Sequence, residues 1–340
     1  MQAYAEEAVA NRLNDPGGPA AALVAIDPRD GAVRAMYGGK NFATSKVNLA
    51  TGDGGSGRQA GSAFKPFTLA AAMEQGYSLD SQWYGPSPIT IQDPECYTDG
   101  APWELSNASD SESGTFTLLS ATTHSVNTVY AQVASAVTPK AIVDVAGRMG
   151  IRSPLEPVCS ITLGTQAVTP LEMTNAYATL AARGWRHRAS PLERVDTADG
   201  ETDLQIGGRG KLVLRQNDAD LITYALETVI ESGTGTAAAI GRPAAGKTGT
   251  AQEYWDAWFC GYVPQLVTCV WVGYPQGEIP LEDVEGFSAV YGGTIPALIW
   301  HDFMSQATAA MRIKDFADPS FEGYTLDAPS PPPPPAPSVA

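Results

Sequence analysis

Residues 243–274 read PAAGKTGTAQEYWDAWFCGYVPQLVTCVWVGY and contain three β-like runs, at 243–250, 255–263 and 266–274. β-Branched and aromatic side chains are frequent in the second and third runs, and only a Pro-Gln dipeptide separates them, so the sequence predicts a hairpin. Both faces of this hairpin are largely apolar. We therefore expect it in the centre of an antiparallel sheet, covered by helices on each side.

The turn of this hairpin decides which residues face each other. If it is centred between Pro264 and Gln265, Cys260 lies directly opposite Cys269, in the class of pairs with the shorter Cα–Cα distance. Such a pair is within reach of a disulfide, but Pro264 disfavours the tightest hairpin turns, so the register predicts proximity and leaves the bond open. The same register predicts three further pairs: Trp258 with Trp271, Tyr262 with Val267, and Phe259 with Val270.

The rest of the chain supplies the elements that surround this hairpin. After an amphipathic N-terminal helix, residues 21–28 (AALVAIDP) and 32–39 (AVRAMYGG) flank a tight turn and predict a second hairpin. The pattern is helical from 116 to 184, and residues 294–311 predict a closing helix. The fold class that follows is α/β of the α+β type, an antiparallel sheet covered by helices on both faces with an adjoining helical lobe.

Two stretches rich in turn-forming residues interrupt this pattern. Residues 85–114 are expected to form a long excursion over the surface. The C-terminal DAPSPPPPPAPSVA is expected to be polyproline II or disordered, with residues 326–340 mobile. The predicted organisation is one domain over 1–312, followed by a Pro-rich disordered tail over 313–340.

Composition excludes several classes of function. The chain holds 21 Lys plus Arg against 37 Asp plus Glu, a net charge of −16, which argues against nucleic-acid binding because phosphate contacts need a basic surface. Its four cysteines form no CxxC pair and its three histidines lie far apart, so neither a zinc site nor a histidine-based catalytic centre is expected. No apolar run of about 18 residues is present, so we expect no transmembrane segment and a chain that is soluble as it stands.

Three short motifs carry the candidate chemistry. They are S-x-x-K at Ser62 and Lys65, S-x-N at Ser125 and Asn127, and K-T-G-T at 247–250. Each is weak alone, but the set should arise by chance in fewer than about one in a hundred chains of this composition. Ser62 is predicted to open a helix, so that the helix dipole and backbone N–H groups face an oxyanion formed there.

The serine of the first motif needs a base, and no histidine lies near it in sequence. Lys65 lies one turn beyond Ser62 on the same helix face, so the nearest candidate is the neutral amine of Lys65. Burial and a neighbouring cation lower the pKa of a lysine, and Lys247 is the candidate cation. On position alone, Ser62 is equally compatible with a helix cap and Lys65 with a solvated helix residue.

The other two motifs contain the candidate relay and substrate-binding groups. Ser125 is interpreted as a proton relay to a leaving group and Asn127 as a donor to a substrate amide, although a cap or a core pair would explain both. Gly249 would let a ligand backbone approach an edge strand closely. The hydroxyls of Thr248 and Thr250, with the ammonium of Lys247, would hold a carboxylate; alone, the run is equally an exposed strand.

The three motifs together are similar to the set found in penicillin-binding proteins and class A β-lactamases. Longer stretches, RQAGSAFKPFTLAAAMEQGY from residue 58 and LGTQAVTPLEMTNAYATLAARG from residue 163, resemble the transpeptidase domain of bifunctional, class A penicillin-binding proteins. The resemblance covers roughly residues 1–312. It implies the fold shared by penicillin-binding proteins and serine β-lactamases.

This resemblance implies a peptidoglycan D,D-transpeptidase that is a target of β-lactam antibiotics. Ser62 would attack the D-Ala-D-Ala carbonyl of a stem peptide, with Lys65 as base, and the acyl-enzyme would pass to the amine of a neighbouring stem. The N–H groups of Ser62 and Thr250 would form the oxyanion hole, and Thr248 and Thr250 would hold the terminal carboxylate. Neither a metal nor an organic cofactor is implied.

The resemblance also implies a location. Members of that family face outward from the bacterial cytoplasmic membrane, held by an N-terminal anchor, and carry a glycosyltransferase domain before the transpeptidase. Neither segment is recognisable here, so the chain resembles one domain of a longer protein that contacts the membrane only through segments outside this chain.

Related functions share the same motifs. A class A β-lactamase needs a further glutamate in an E-x-x-L-N string, and the nearest match, at Glu172, has Asn175 and Ala176 where leucine and asparagine should stand. A D,D-carboxypeptidase uses water as acceptor, and a non-catalytic β-lactam sensor acylates without turnover. Both keep the same residues, so both stay open alternatives, as do the acceptor chemistry and the oligomeric state.

Overall fold

The computed structural model of this chain describes residues 1–15, 17–40, 46–52, 57–109, 112–205 and 210–327. A five-stranded antiparallel sheet forms its centre, in the spatial order β3-β4-β5-β1-β2. Its strands are β1 (Ala20–Ile26), β2 (Val33–Tyr37), β3 (Ala245–Thr250), β4 (Asp256–Val263) and β5 (Leu266–Gly273). The predicted three runs and the N-terminal hairpin are therefore confirmed, and β3 lies at an edge of the sheet.

Helices cover both faces of this sheet. Two of them, α1 and α8, pack on one face, whereas α6 and α7 pack on the other, which adjoins the helical lobe α2–α5. The helices are α1 (Gln2–Ala10), α2 (Lys65–Glu74), α3 (Leu118–Thr123), α4 (Asn127–Val137), α5 (Pro139–Met149), α6 (Pro170–Ala181), α7 (Gln216–Glu231) and α8 (Ile295–Thr308). None of the described helices is both long and apolar enough to cross a bilayer.

Strand β1 shows why the sheet separates two cores. Successive side chains point to opposite faces, so Leu23 and Ala25 join the core under α1 and α8, while Val24 and Ile26 join the core of the helical lobe. All four side chains are fully buried. The predicted fold class, with helices on both faces and an adjoining helical lobe, follows from this two-sided burial and is confirmed.

The central hairpin has the predicted register. Cys260 pairs with Cys269, and the pairs of Trp258, Tyr262 and Phe259 are those expected from a turn between Pro264 and Gln265. The Cα atoms of Cys260 and Cys269 are 4.1 Å apart, and the two sulfur atoms form a disulfide. The bond that the sequence left open is therefore present.

Residues 85–114 differ from the expected surface excursion. They belong to two small hairpins, in which Gln82–Gly85 pairs with Gly114–Thr117 and Ile89–Ile91 pairs with Trp103–Leu105. A second disulfide joins Cys96 to Cys159 and forms part of a small core with Ile91 and Ala131. The high content of turn residues hid these strands because each is only three or four residues long.

Eight shorter strands form four peripheral ribbons. These are Arg58–Gln59 with Ala167–Val168, Trp185–Arg186 with Lys211–Leu212, Arg194–Asp196 with Thr202–Gln205, and Glu282–Val284 with Phe287–Ala289. The ribbon of Arg58–Gln59 with Ala167–Val168 joins the residues just before the S-x-x-K motif to those just before α6.

The C-terminal segment was expected to be a disordered tail from residue 313 onward. Several residues of 313–327 contact the domain, whereas residues 328–340 lie outside the described residues. Three aromatic rings of the segment contact rings of the domain: Phe316 and Phe321 meet Tyr262 and Tyr224 edge to face, and Tyr324 lies tilted against Tyr77. Backbone hydrogen bonds join Tyr324 to Gly76 and Ser78, and Leu326 to Gln82.

Candidate active site

Ser62 lies in a 3₁₀ turn, Gly61–Phe64, and α2 begins at Lys65. The serine therefore precedes the α-helix instead of opening it. The turn is held from two sides: Gly61 N donates to Gly164 O (3.3 Å), and the hydroxyl of Tyr177 donates to Ala63 O (2.7 Å). Tyr177 and Gly164 belong to the stretch from residue 163 that carries the resemblance, but sequence reasoning assigned them no role.

Strand β3 runs directly beside this turn. A Cβ on Gly249 would lie 2.1 Å from the carbonyl oxygen of Ala60, and one on Gly61 would lie 2.4 Å from the carbonyl oxygen of Thr250. Gly249 was predicted to admit a ligand backbone, but here it admits the protein's own backbone at Ala60. The absence of a side chain at Gly249 thus sets the distance between Ser62 and the K-T-G-T strand.

The edge position of β3 leaves some of its backbone groups free to face this turn. The N–H of Ala251 donates to Asp256 O (2.8 Å), and hydrogen-bonded pairs alternate along an antiparallel ladder. The next pair, Thr250 with Ala257, is therefore a non-hydrogen-bonded pair. The Thr250 N–H consequently points away from β4. It points to the open edge, where the Ser62 turn lies.

Lys65 is fully buried, and its amine reaches the S-x-N motif. Its Nζ lies 2.6 Å from Ser125 O, 2.8 Å from Asn127 Oδ1 and 3.2 Å from Ser125 Oγ. Burial, and then repulsion from Lys247, hold the pKa of Lys65 well below its usual range, against a smaller opposing effect of Glu112. The neutral amine that a base requires is therefore favoured at this position.

Ser125 lies between the two buried lysines. It occupies the two-helix junction between α3 and α4 with a left-handed backbone (φ 62°), which turns its hydroxyl into the site. Lys247 Nζ donates to Ser125 Oγ at 2.8 Å, so both lysine amines contact the same hydroxyl. The fully buried Lys247 has its pKa lowered to about 7 by desolvation. The predicted proximity of Lys65, Ser125, Asn127 and Lys247 is present.

The threonines of the K-T-G-T motif have partners that the sequence did not indicate. Thr248 Oγ1 lies 2.6 Å from Thr234 Oγ1, and Gly292 N donates to Thr250 Oγ1 (3.2 Å). Thr234 follows α7 in a Ser-Gly-Thr-Gly-Thr run, and Gly292 lies in the Tyr-Gly-Gly-Thr run before α8. Hydroxyl-rich and glycine-rich composition was the only signal for either.

The charged side chains identified in this cluster are those of two lysines. Within the described ranges, no group of three or more His, Cys, Asp or Glu side chains is placed to hold a metal ion. The charged groups that face the reacting region are instead the two buried lysines. The arrangement can take a proton from a serine hydroxyl, pass it along a hydroxyl, and bind an anion.

Comparison with known proteins assigns this site to a family. The family model for the penicillin-binding protein transpeptidase domain matches residues 21–278. The chain belongs to this family. All three motifs of the penicillin-binding transpeptidase lie inside the matched residues, and the sequence-based resemblance is confirmed.

Curated relatives agree with this membership. Penicillin-binding protein 1A of Mycobacterium tuberculosis is 35% identical in an alignment 348 positions long, which covers 95% of this chain and 40% of that protein. Penicillin-binding protein 1A of Neisseria gonorrhoeae is 33% identical over 291 residues, or 83% of this chain and 35% of that protein. The chain thus spans less than half the length of the relatives it matches.

Solved structures confirm the penicillin-binding protein fold. The PonA1 protein from Mycobacterium tuberculosis in complex with penicillin V matches with a TM-score of 0.83 and 35% identity, over 98% of this chain and 89% of that chain. Penicillin-binding protein 1A from Haemophilus influenzae matches with a TM-score of 0.77 and 26% identity, over 89% of this chain and 49% of that chain.

Proposed function

We propose that this penicillin-binding domain is a peptidoglycan D,D-transpeptidase in which Ser62 is the nucleophile. The observation that carries the proposal is the convergence of two fully buried lysines, Lys65 and Lys247, on Ser125 beside the Ser62 turn. Burying the charged form of a lysine is costly, so burial favours the neutral amine, and a nucleophilic serine without a histidine needs such an amine as its base. The substrates are stem peptides ending in D-Ala-D-Ala, and β-lactams acylate the same serine.

In the first step, neutral Lys65 takes the proton of the Ser62 hydroxyl while Ser62 Oγ forms a bond to the substrate carbonyl carbon. Two N–H groups of a neutral Lys65 amine donate to Ser125 O and Asn127 Oδ1, which leaves its lone pair as the acceptor. The negative charge that develops on the carbonyl oxygen is stabilised by the N–H groups of Ser62 and Thr250.

In the second step, the C–N bond to the terminal D-alanine breaks. The leaving nitrogen receives a proton from Ser125 Oγ, and Lys65, 3.2 Å away, returns to Ser125 the proton it took from Ser62. Lys247, whose Nζ lies 2.8 Å from Ser125 Oγ, stabilises that oxygen while its proton is transferred. The amine of a neighbouring stem then attacks the acyl carbon, and the C–O bond to Ser62 Oγ breaks as the new C–N bond forms. The proton that the amine loses passes through Lys65 to Ser62 Oγ and regenerates the hydroxyl.

Substrate binding follows from the edge strand. An extended peptide can pair with the free edge of β3. Thr250 and Lys247 would bind its terminal carboxylate directly, whereas Thr248, whose hydroxyl lies 2.6 Å from Thr234 Oγ1, would support this site through that second hydroxyl. Asn127 would contact a substrate amide. Because Gly249 packs on Ala60, we assign it the spacing of β3 from Ser62 and not a contact with substrate.

We further propose that the domain acts on the extracytoplasmic face of the bacterial cytoplasmic membrane, to which segments outside this chain would attach it. Two disulfides, Cys96–Cys159 and Cys260–Cys269, support an oxidising compartment, because cytosolic thiols are kept reduced. The catalytic domain would extend to residue 327, since the segment 313–327 packs on it.

Labelling with penicillin V followed by peptide mapping tests the nucleophile. The adduct should lie on Ser62 and be absent from Ser62→Ala, whereas Ser232→Ala, an exposed serine near the site, should label normally. An adduct on another residue would overturn the assignment. Release of D-alanine from a stem peptide, with and without an acceptor amine, separates the three functions: cross-linked product identifies a transpeptidase, hydrolysed product alone a carboxypeptidase, and no release a sensor.

A further inference from the structure

Thr234 is the only exposed side chain hydrogen-bonded to the K-T-G-T motif among the described residues. Its Oγ1 lies 2.6 Å from Thr248 Oγ1, and Thr248 itself is 6% exposed. The backbone at Thr234 is fixed as well, because Thr234 N donates to Thr123 O (3.3 Å) and Gly235 N donates to Val229 O (2.9 Å). The hydroxyl of Thr234 is thus held at the surface of the proposed carboxylate site.

The Thr234 and Thr248 hydroxyls together have one O–H hydrogen left for a ligand. A charged lysine amine can donate hydrogen bonds but cannot accept them. Lys247 Nζ is therefore the donor in its 3.4 Å contact with Thr248 Oγ1. Each threonine hydroxyl has a single hydrogen, and one of the two is used in the Thr234–Thr248 bond. One O–H of the pair is therefore left for a ligand.

The position of Lys247 decides which hydroxyl keeps that hydrogen. A hydroxyl that accepts from a cation is polarised and becomes a better donor, which favours Thr248 as the donor to Thr234. The free O–H then belongs to Thr234, the exposed member of the pair. Hydrogen bonds run from Lys247 to Thr248 to Thr234 and end on an O–H that needs an acceptor.

We propose that Thr234 binds the terminal carboxylate of the donor stem peptide, and the equivalent carboxylate of β-lactams, through its Oγ1 hydroxyl. This assignment rests on the proposed function of the site. It makes Thr234 a specificity-determining residue that touches the substrate. A ligand without a negative charge at this point gains little from Thr234, because a hydrogen bond to a charged acceptor is stronger than one to a neutral acceptor.

The test compares penicillin V with its methyl ester, using intact mass to measure the second-order rate constant of acylation. Thr234→Val keeps the branched shape and removes the hydroxyl, whereas Thr234→Ser keeps the hydroxyl. We expect Thr234→Val to lower the rate constant for penicillin V about tenfold or more and that for the ester less than about twofold. Thr234→Ser should stay within about threefold of the wild type for both.

Thr236→Val is the matched control, because Thr236 is an exposed hydroxyl on the same segment, and it should change neither rate constant. Equal losses for acid and ester in Thr234→Val, no loss for penicillin V, or a Thr234→Ser variant as slow as Thr234→Val would each overturn the proposal. Thermal unfolding shows that the variants are folded. Failure of the proposed function is distinguishable, because it is measured on the wild type alone, by the position of the penicillin adduct and by the release of D-alanine with and without an acceptor amine.

Discussion

Lys247 Nζ lies 2.8 Å from Ser125 Oγ, and the two residues are 122 positions apart in the chain. This contact connects an edge strand of the sheet to the junction of two helices in the helical lobe. The second buried lysine, Lys65, approaches the same hydroxyl from α2. The reacting groups of the proposed mechanism therefore come from three separate elements that meet between the sheet and the lobe.

The two lysines are expected to differ in importance. Lys65→Ala removes the proposed base and should lower the acylation rate constant with penicillin V by about 10² to 10⁴. Lys247→Ala removes an electrostatic partner and should cost less. Lys140→Ala is the control, because that side chain is 76% exposed and forms a surface ion pair with Asp144. A Lys65→Ala rate equal to that of the wild type would refute the role.

The pH dependence of acylation should report the field of Lys247 on Lys65. Acylation needs neutral Lys65, so the rate constant should rise with pH through the pKa of Lys65, which burial and then Lys247 hold below its usual range. Lys247→Ala removes the like charge and raises the pKa of Lys65, which moves the acid limb to higher pH.

Lys247→Arg is the matched variant for this profile, because it keeps a cation beside Lys65. Its acid limb should stay closer to that of the wild type than the limb of Lys247→Ala. A limb that is unchanged in Lys247→Ala, or displaced to lower pH, would contradict the coupling between the two lysines.

Gly249→Ala should disrupt the spacing between β3 and the Ser62 turn. The added Cβ would lie 2.1 Å from the backbone oxygen of Ala60, so one of the two segments must move. We expect a loss of about 1–3 kcal/mol in the free energy of unfolding, together with slower acylation by penicillin V.

Gly147→Ala is the control for this change, because a Cβ at Gly147, inside α5, meets nothing within 4 Å. It should leave acylation unchanged and stabilise the helix by about 1 kcal/mol. If Gly249→Ala acylates and unfolds like the wild type, the close packing of β3 on Ala60 is not required.

Truncation should separate the two parts of the C-terminal segment. Ending the chain at residue 327 should change neither unfolding nor acylation. Ending it at residue 312 removes the ring contacts of Phe316, Phe321 and Tyr324 and should cost about 2 kcal/mol of unfolding free energy. Denaturant unfolding of the two truncated chains tests this difference. Equal stability of the chain ending at 312 and the full chain would show that the segment contributes nothing.

Local sequence was sufficient for the elements with a strong periodic signal. The register of the central hairpin followed from the position of Pro264 and Gln265, because side chains alternate across a strand and a turn fixes which residues face each other. The three motifs followed from their residue types. The short strands within 85–114 and the packing of 313–327 could not be predicted, because their stability comes from distant contacts such as Cys96 with Cys159.

The sequence by itself therefore determined the hairpin register, the fold class and the residue types of the site. Only the tertiary structure decided that Ser62 precedes α2 in a 3₁₀ turn, that Gly249 packs on Ala60, and that Thr234 contacts Thr248. The reason is physical: propensity and periodicity act over a few neighbouring residues, whereas these contacts depend on how the sheet and the helical lobe pack together.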